Sequence, residues 1–71
     1  MTYNEFILSV WKKVDTYPIH LRLGQRVFNA VEELYGNVAR KVQIEKDIDC
    51  FYNDDKIDEF IAATWELIDK K

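Results

Sequence analysis

Thr2-Tyr3-Asn4-Glu5-Phe6-Ile7-Leu8-Ser9-Val10-Trp11-Lys12-Lys13-Val14 is the stretch that decides the fold class. Its first four residues spell a capping box. Thr2 can accept from the backbone N–H of Glu5 while the Glu5 carboxylate reaches back to the Thr2 N–H. Behind the box, Tyr3, Phe6, Ile7, Val10, Trp11 and Val14 recur at the three-and-four spacing of one helical face. Lys12 and Lys13 fall in the last turn, where cations complement the negative end of the helix dipole. Asp15-Thr16-Tyr17-Pro18 is turn chemistry, and Pro18 disfavours helix at Tyr17.

Working outward, a second helix is expected from about residues 19–22 to Leu34, burying Gly24, Val27, Phe28, Val31, Leu34 and Tyr35. Gly24 costs about 1 kcal/mol against alanine inside a helix. Its presence therefore suggests a close helix crossing, or else a looser helix start. Gly36-Asn37 supplies a left-handed stop. Asn37 is then expected to cap a short third helix, from Val38 to Gln43 or Ile44, with Val38, Ala39 and Val42 inward. Residues 45–52 are the least periodic, with Asp49 placed to cap one turn holding Phe51 and Tyr52 on the core. The last helix opens in Asn53-Asp54-Asp55, acidic residues suited to the positive end of its dipole. Its inner face is Ile57, Phe60, Ile61, Thr64, Trp65 and Ile68. The first and last helices carry the same spacing and one Trp each, so they are expected to pair as the long sides of a bundle. The expectation is an all-α fold, a small bundle of three to four helices with an irregular segment near 45–52, forming one domain over residues 1–71.

Composition supports folding and narrows function. Apolar residues make up 48% of the chain and ten of its 71 residues are aromatic, well outside a disordered composition. Cys50 is the one cysteine, so neither an internal disulfide nor a thiolate metal cluster can be built. The first residues have neither the basic nor the apolar region of a signal peptide, and no apolar run spans a membrane. A cytoplasmic protein without membrane contact is expected. The net charge of −3 opposes general binding to nucleic acid or anionic lipid. Residues 20–46 are mildly basic and residues 47–69 strongly acidic, and the two segments are expected to attract each other within one fold.

Catalytic and metal signatures are weak. A hydrolytic triad needs a nucleophile, a base and an orienter, yet His20 is the one histidine. The cluster Asp47, Asp49, Asp54, Asp55 and Asp58 lacks the glycine and closing glutamate of a calcium loop, and reads as a solvated helix start. Cys50, beside an aspartate, reads as a small buried apolar residue. The chain is therefore expected to carry no cofactor and no metal, and not to be an enzyme.

The more informative group is Arg22, Gln25, Arg26 and Asn29, a polar strip beside the Phe28 face. One expectation has Asn29 hydrogen-bond the 45–52 backbone while Arg22 pairs with Asp49 or Asp54. The other makes the strip, with exposed tyrosines, a contact surface, since Tyr and Arg often anchor interfaces.

Arg22-Leu23-Gly24-Gln25-Arg26-Val27-Phe28-Asn29, then Val38-Ala39-Arg40-Lys41-Val42, then Asp49-Cys50-Phe51-Tyr52-Asn53-Asp54 with Ile57 and Phe60, are similar to a family of short uncharacterised proteins of bacteria and phages. Its pattern resembles R-x-G-Q-x-x-F-N followed by D-P-F-Y-x-D-x-x-I-x-x-F, with Cys50 here in place of the proline. The resemblance implies a helical fold, a bacterial or phage cytoplasm and no known activity. It marks Gln25, Asn29, Asp49, Tyr52 and Asp54 as motif positions. Together with Arg22 and Arg26 these are the candidate interaction or structural residues. The leading expectation is a small protein-interaction or accessory module with an unidentified protein partner. One alternative is a nucleic-acid-binding domain using the second and third helices with Arg40, Lys41, Gln43 and Lys46. Another is a homodimer joined through surplus aromatics among Tyr3, Trp11, Tyr17, Tyr35, Tyr52 and Trp65.

Overall fold

The computed structural model describes residues 1–69, so the last two residues of the expected 1–71 span lie outside the described residues. It is all-α. Four helices follow one another, α1 over Tyr3–Val14, α2 over Leu23–Tyr35, α3 over Val38–Glu45 and α4 over Ile57–Asp69. A single 3₁₀ turn over Asp54–Lys56 leads into α4.

The capping box on α1 is present in both directions. Glu5 N–H donates to Thr2 Oγ1 at 3.2 Å and Thr2 N–H to Glu5 Oε1 at 2.7 Å. Phe6, Val10 and Val14 are buried, as their spacing requires. In α2 the buried set is Gly24, Val27, Phe28, Ala30 and Val31. Leu34, expected inside, is 42% exposed, and Ala30 takes the inward position instead. Gly36 ends α2 at φ +73°, a left-handed backbone that glycine reaches without penalty. Asn37 stands at the start of α3 with helical dihedrals and makes no side-chain cap, contrary to expectation. With only a Gly36-Asn37 link between the helices, Asn37 is already wound into α3 and cannot take the extended backbone a side-chain cap needs. Val38, Ala39 and Val42 face the core as expected, and α3 runs to Glu45. Two residues beyond its end the chain turns away at Asp47, whose φ of +56° is left-handed for a non-glycine residue.

One apolar cluster runs through all four helices, with Phe6, Phe28 and Phe60 as its large members. Phe28 stacks at 5.6 Å from Phe60 and takes the edge of Phe51 at 5.5 Å. Thr64, the one buried polar side chain among the described residues, donates to the Ile61 carbonyl at 2.9 Å. The expected pairing of α1 with α4 is not the main contact. Backbones approach closely between successive helices, α1 on α2, α2 on α3 and α3 on α4. The first and last helices meet through side chains, Trp65 lying 5.4 Å from Phe6 and 5.7 Å from Tyr3. The reason is connectivity: short links favour neighbours in sequence as neighbours in space.

Charge does not join the two segments in the expected way. The ion pairs among the described residues are Lys13–Glu33, Arg40–Glu32 and Lys56–Glu59, none between the basic middle and the acidic end. The Lys13–Glu33 pair instead ties α1 to α2, with the Tyr17 hydroxyl also donating to Glu33. Hydrogen bonds from Tyr17 and Lys13 hold the Glu33 carboxyl below its ordinary range. Folding lowers this pKa, so the stabilisation it brings is complete above the ordinary carboxylate range and lost as pH falls through the lowered value. Glu33→Gln is therefore expected to flatten the fall of Tm between about pH 5 and about pH 3 relative to wild type, read by thermal melts across that range.

Candidate functional site

Gly24 is where the candidate residues converge, and the reason is steric. It is the second residue of α2, and a Cβ built on it would lie 1.9 Å from the Cys50 carbonyl oxygen. The close approach that Gly24 permits is therefore to the backbone of the irregular segment, and not to another helix. Three polar contacts hold that approach. Asp54 Oδ1 accepts from the Gly24 N–H at 3.0 Å, Arg22 donates to the Phe51 carbonyl at 2.8 Å, and Cys50 Sγ donates to the Gly24 carbonyl at 3.4 Å.

These contacts revise two expectations. Arg22 does not pair with Asp49 or Asp54; its guanidinium takes a backbone carbonyl and lies 5.8 Å from the centre of the Tyr52 ring. Asp54 stands in the acidic first turn leading into α4, as expected, but Asn53 makes no side-chain cap and the Asp54 side-chain hydrogen bond goes to another helix. It caps α2 from thirty residues away, supplying an acceptor to a helix whose own N-cap residue, Arg22, has none to give. Asp49 behaves as expected, accepting from the Phe51 N–H at 2.9 Å to close a tight turn, and Gln43 donates to the same oxygen at 3.2 Å. Cys50 is buried at the centre of this arrangement. Burial first, and the nearby Asp49 and Asp54 charges second, push its thiol up to about 12, so it stays protonated and unreactive at neutral pH.

The rest of the strip does something else. Arg26 donates to the Leu21 carbonyl at 3.2 Å, fixing the entry to α2. The Asn29 side chain, expected to bond the 45–52 backbone, makes no hydrogen bond to any described residue, and neither does the Gln25 side chain. Asn29 lines an open cleft of about 560 Å³ with Tyr17, Phe28, Glu32, Glu33, Arg40 and Phe51. A second hollow of about 230 Å³ adjoins it through Phe28, Arg40 and Phe51, and is edged by Gln43, Ile44 and Tyr52. The two form one groove between α2, α3 and the 49–52 turn. Tyr52 does not rest on the core; it is 65% exposed, and Ile44 is 76% exposed. Phe51 takes the inner place because only one face of so short a turn can point inward.

Several groove residues carried no reading as a site in the sequence. Ile44 had a signal: it is apolar but two residues past Val42, off the inward stripe of Val38, Ala39 and Val42. Glu32 and Glu33 had none, since exposed acids in a helix are ordinary. The aromatics proposed for self-association do not gather in one patch. Tyr3 and Trp65 lie together at the α1–α4 contact, while Tyr52 stands with Phe51 and Arg22. Among the described residues no three His, Cys, Asp or Glu side chains are grouped as metal ligands, and no helix is long and apolar enough to cross a membrane. Comparison with protein-family models, curated proteins and solved structures finds no match to this chain.

Two substitutions separate the parts of the arrangement. Gly24→Ala places a methyl on a backbone carbonyl that cannot swing aside, so denaturant titration is expected to show a loss of about 3 kcal/mol or total unfolding. Asp54→Ala removes only the distant cap and is expected to cost about 1 kcal/mol, with the groove aromatics still packed by NMR.

Proposed function

We propose that this chain is a small protein-interaction module, of bacterial or phage origin and acting in the cytoplasm, that binds a partner protein through the groove beside Phe51. The observation carrying this reading is the contrast between the two halves of the polar group. Arg22, Asp49 and Asp54 are engaged in holding the turn, whereas the Asn29 side chain has no hydrogen bond among the described residues and Ile44 and Tyr52 stand exposed at the edge of an open groove. An unpaired amide beside aromatic rings suits recognition of a peptide, where the rings supply apolar area and the amide fixes orientation. Catalysis by the chain itself has less support, since its one thiol is buried and protonated and its one histidine is exposed and not among the residues lining that groove. The nucleic-acid alternative is weakened because two of its four residues, Arg40 and Gln43, already hold carboxylate partners, leaving Lys41 and Lys46. The homodimer alternative is weakened by the dispersal of the aromatics.

Photo-crosslinking from position 44 tests the reading. A benzophenone amino acid at Ile44 is expected to trap one protein from a bacterial or infected-cell lysate, and the same probe at Ile19 is not. Adding Tyr52→Ala is expected to reduce the yield about tenfold, the scale of a central interface aromatic, without moving Tm by more than a degree or two. Equal trapping from both positions, or none, would remove the groove as the interaction surface.

A further inference from the structure

The polar ties between the 49–54 segment and α2 all land on one spot. Arg22 donates to the Phe51 carbonyl at 2.8 Å, the Gly24 N–H donates to Asp54 Oδ1 at 3.0 Å, and the Cys50 thiol donates to the Gly24 carbonyl at 3.4 Å. The Tyr52 ring lies against the same Arg22 guanidinium. Towards α3 the segment has a side-chain bond from Gln43 to Asp49 at 3.2 Å, while the bond from the Phe51 N–H to Asp49 is internal and travels with it. Its near end is marked off by the chain. Asp47 takes a left-handed φ of +56°, and the Ile48 N–H bonds back to the Val42 carbonyl at 3.4 Å, closing α3 before the segment begins.

Ties that share an anchor are lost together, because moving off Gly24 breaks each of them at once. Lifting the segment withdraws Cys50 and Phe51 from the core and leaves the helices their own contacts. Phe28 loses the edge of Phe51 but keeps Phe60 at 5.6 Å. Phe6 keeps Tyr35 and Trp65, each at 5.4 Å, and Tyr35 is at the opposite end of α2 from Gly24. A motion that exposes so little apolar surface has a lower free energy than unfolding the bundle. We propose that residues 49–54 form a strap that lifts from the start of α2 as one unit while the four helices stay packed. Phe51 and Tyr52 ride on the strap and line the groove, so each opening reshapes that groove. The strap moves without a partner, independently of the protein-binding reading above.

Cys50 is fully buried while the strap is closed, so its thiol reports the opening. The test is the rate at which the whole chain reacts with dithiobis(nitrobenzoate), whose disulfide the Cys50 thiolate cleaves with release of coloured thionitrobenzoate. Urea is raised in steps, and unfolding of the bundle is followed in parallel by circular dichroism. Below the unfolding transition the labelling rate is expected to be nearly independent of urea, and to steepen only as the bundle melts. Phe6→Leu loosens the bundle far from the strap. It is expected to raise the unfolding equilibrium about tenfold yet to leave Cys50 labelling within about twofold of wild type. Asp54→Ala removes one tie and is expected to speed labelling about fivefold. A rate that follows the urea slope of global unfolding from the start, or rises with Phe6→Leu in step with the unfolding equilibrium, would overturn the proposal. So would labelling as fast as in the urea-unfolded chain, or a rate that Asp54→Ala leaves unchanged. The urea series needs no variant, and it decides the matter even if Phe6→Leu does not fold.

Discussion

The Cys50 carbonyl oxygen occupies space beside Gly24 that a Cβ on that residue would need. Much of the local architecture follows from that one contact. With a hydrogen in place of a methyl, the backbone of the 49–54 segment can lie directly on the first turn of α2. That proximity brings Asp54 to the unsatisfied N–H of Gly24 and the Phe51 carbonyl to Arg22. Each of these polar groups is satisfied by a partner distant in sequence, so the segment is bound at several points despite having little regular structure of its own. The cost of glycine in a helix is small beside what the approach permits, because Gly24 lies in the first turn, where helical hydrogen bonding is incomplete in any case.

The groove is a consequence of the same arrangement. Fixing the turn places Phe51 edge-on to Phe28 and pushes Tyr52 outward. Phe28 thus belongs both to the core and to the floor of the cleft, which couples the packing of the bundle to the shape of the groove. Ile44 and Asn29, on two different helices, become neighbours of one groove because the segment between α3 and α4 folds back over the start of α2. A chain of this size has little volume to enclose a deep pocket, so a surface groove floored by core residues is the kind of binding feature it can support.

The helices were legible in the sequence because their determinants are local. The capping box at Thr2 and Glu5, the three-and-four spacing of Phe6, Val10 and Val14, and the Gly36 stop each act within a few residues of where they stand. The all-α class and the irregular 45–52 segment followed from those signals. What was not legible depends on contacts across the chain. Asp54 reads as a cap for the helix it precedes, since sequence alone gives no sign that its carboxylate faces Gly24. Gly24 announces that something comes close, but not what. Arg22 in the basic middle of the chain suggests an ion pair with Asp49 or Asp54 of the acidic end, yet the Phe51 carbonyl takes its donor instead. Glu32 and Glu33 look like any solvated acids until Tyr17, Phe51 and Arg40 are placed around them. The association of α1 with α2, in place of α4, was hidden because identical periodicity on two helices says which faces are apolar and nothing about which faces meet.

Amide hydrogen exchange at Gly24 tests the central contact most directly. First-turn helix amides lack an intrahelical acceptor and ordinarily exchange quickly. The Asp54 bond predicts that the Gly24 amide exchanges far more slowly than that of Leu23, its first-turn neighbour, and that the difference disappears on denaturation. Equal, rapid exchange at both positions would show that the 49–54 segment is not held on α2, and would contradict the account.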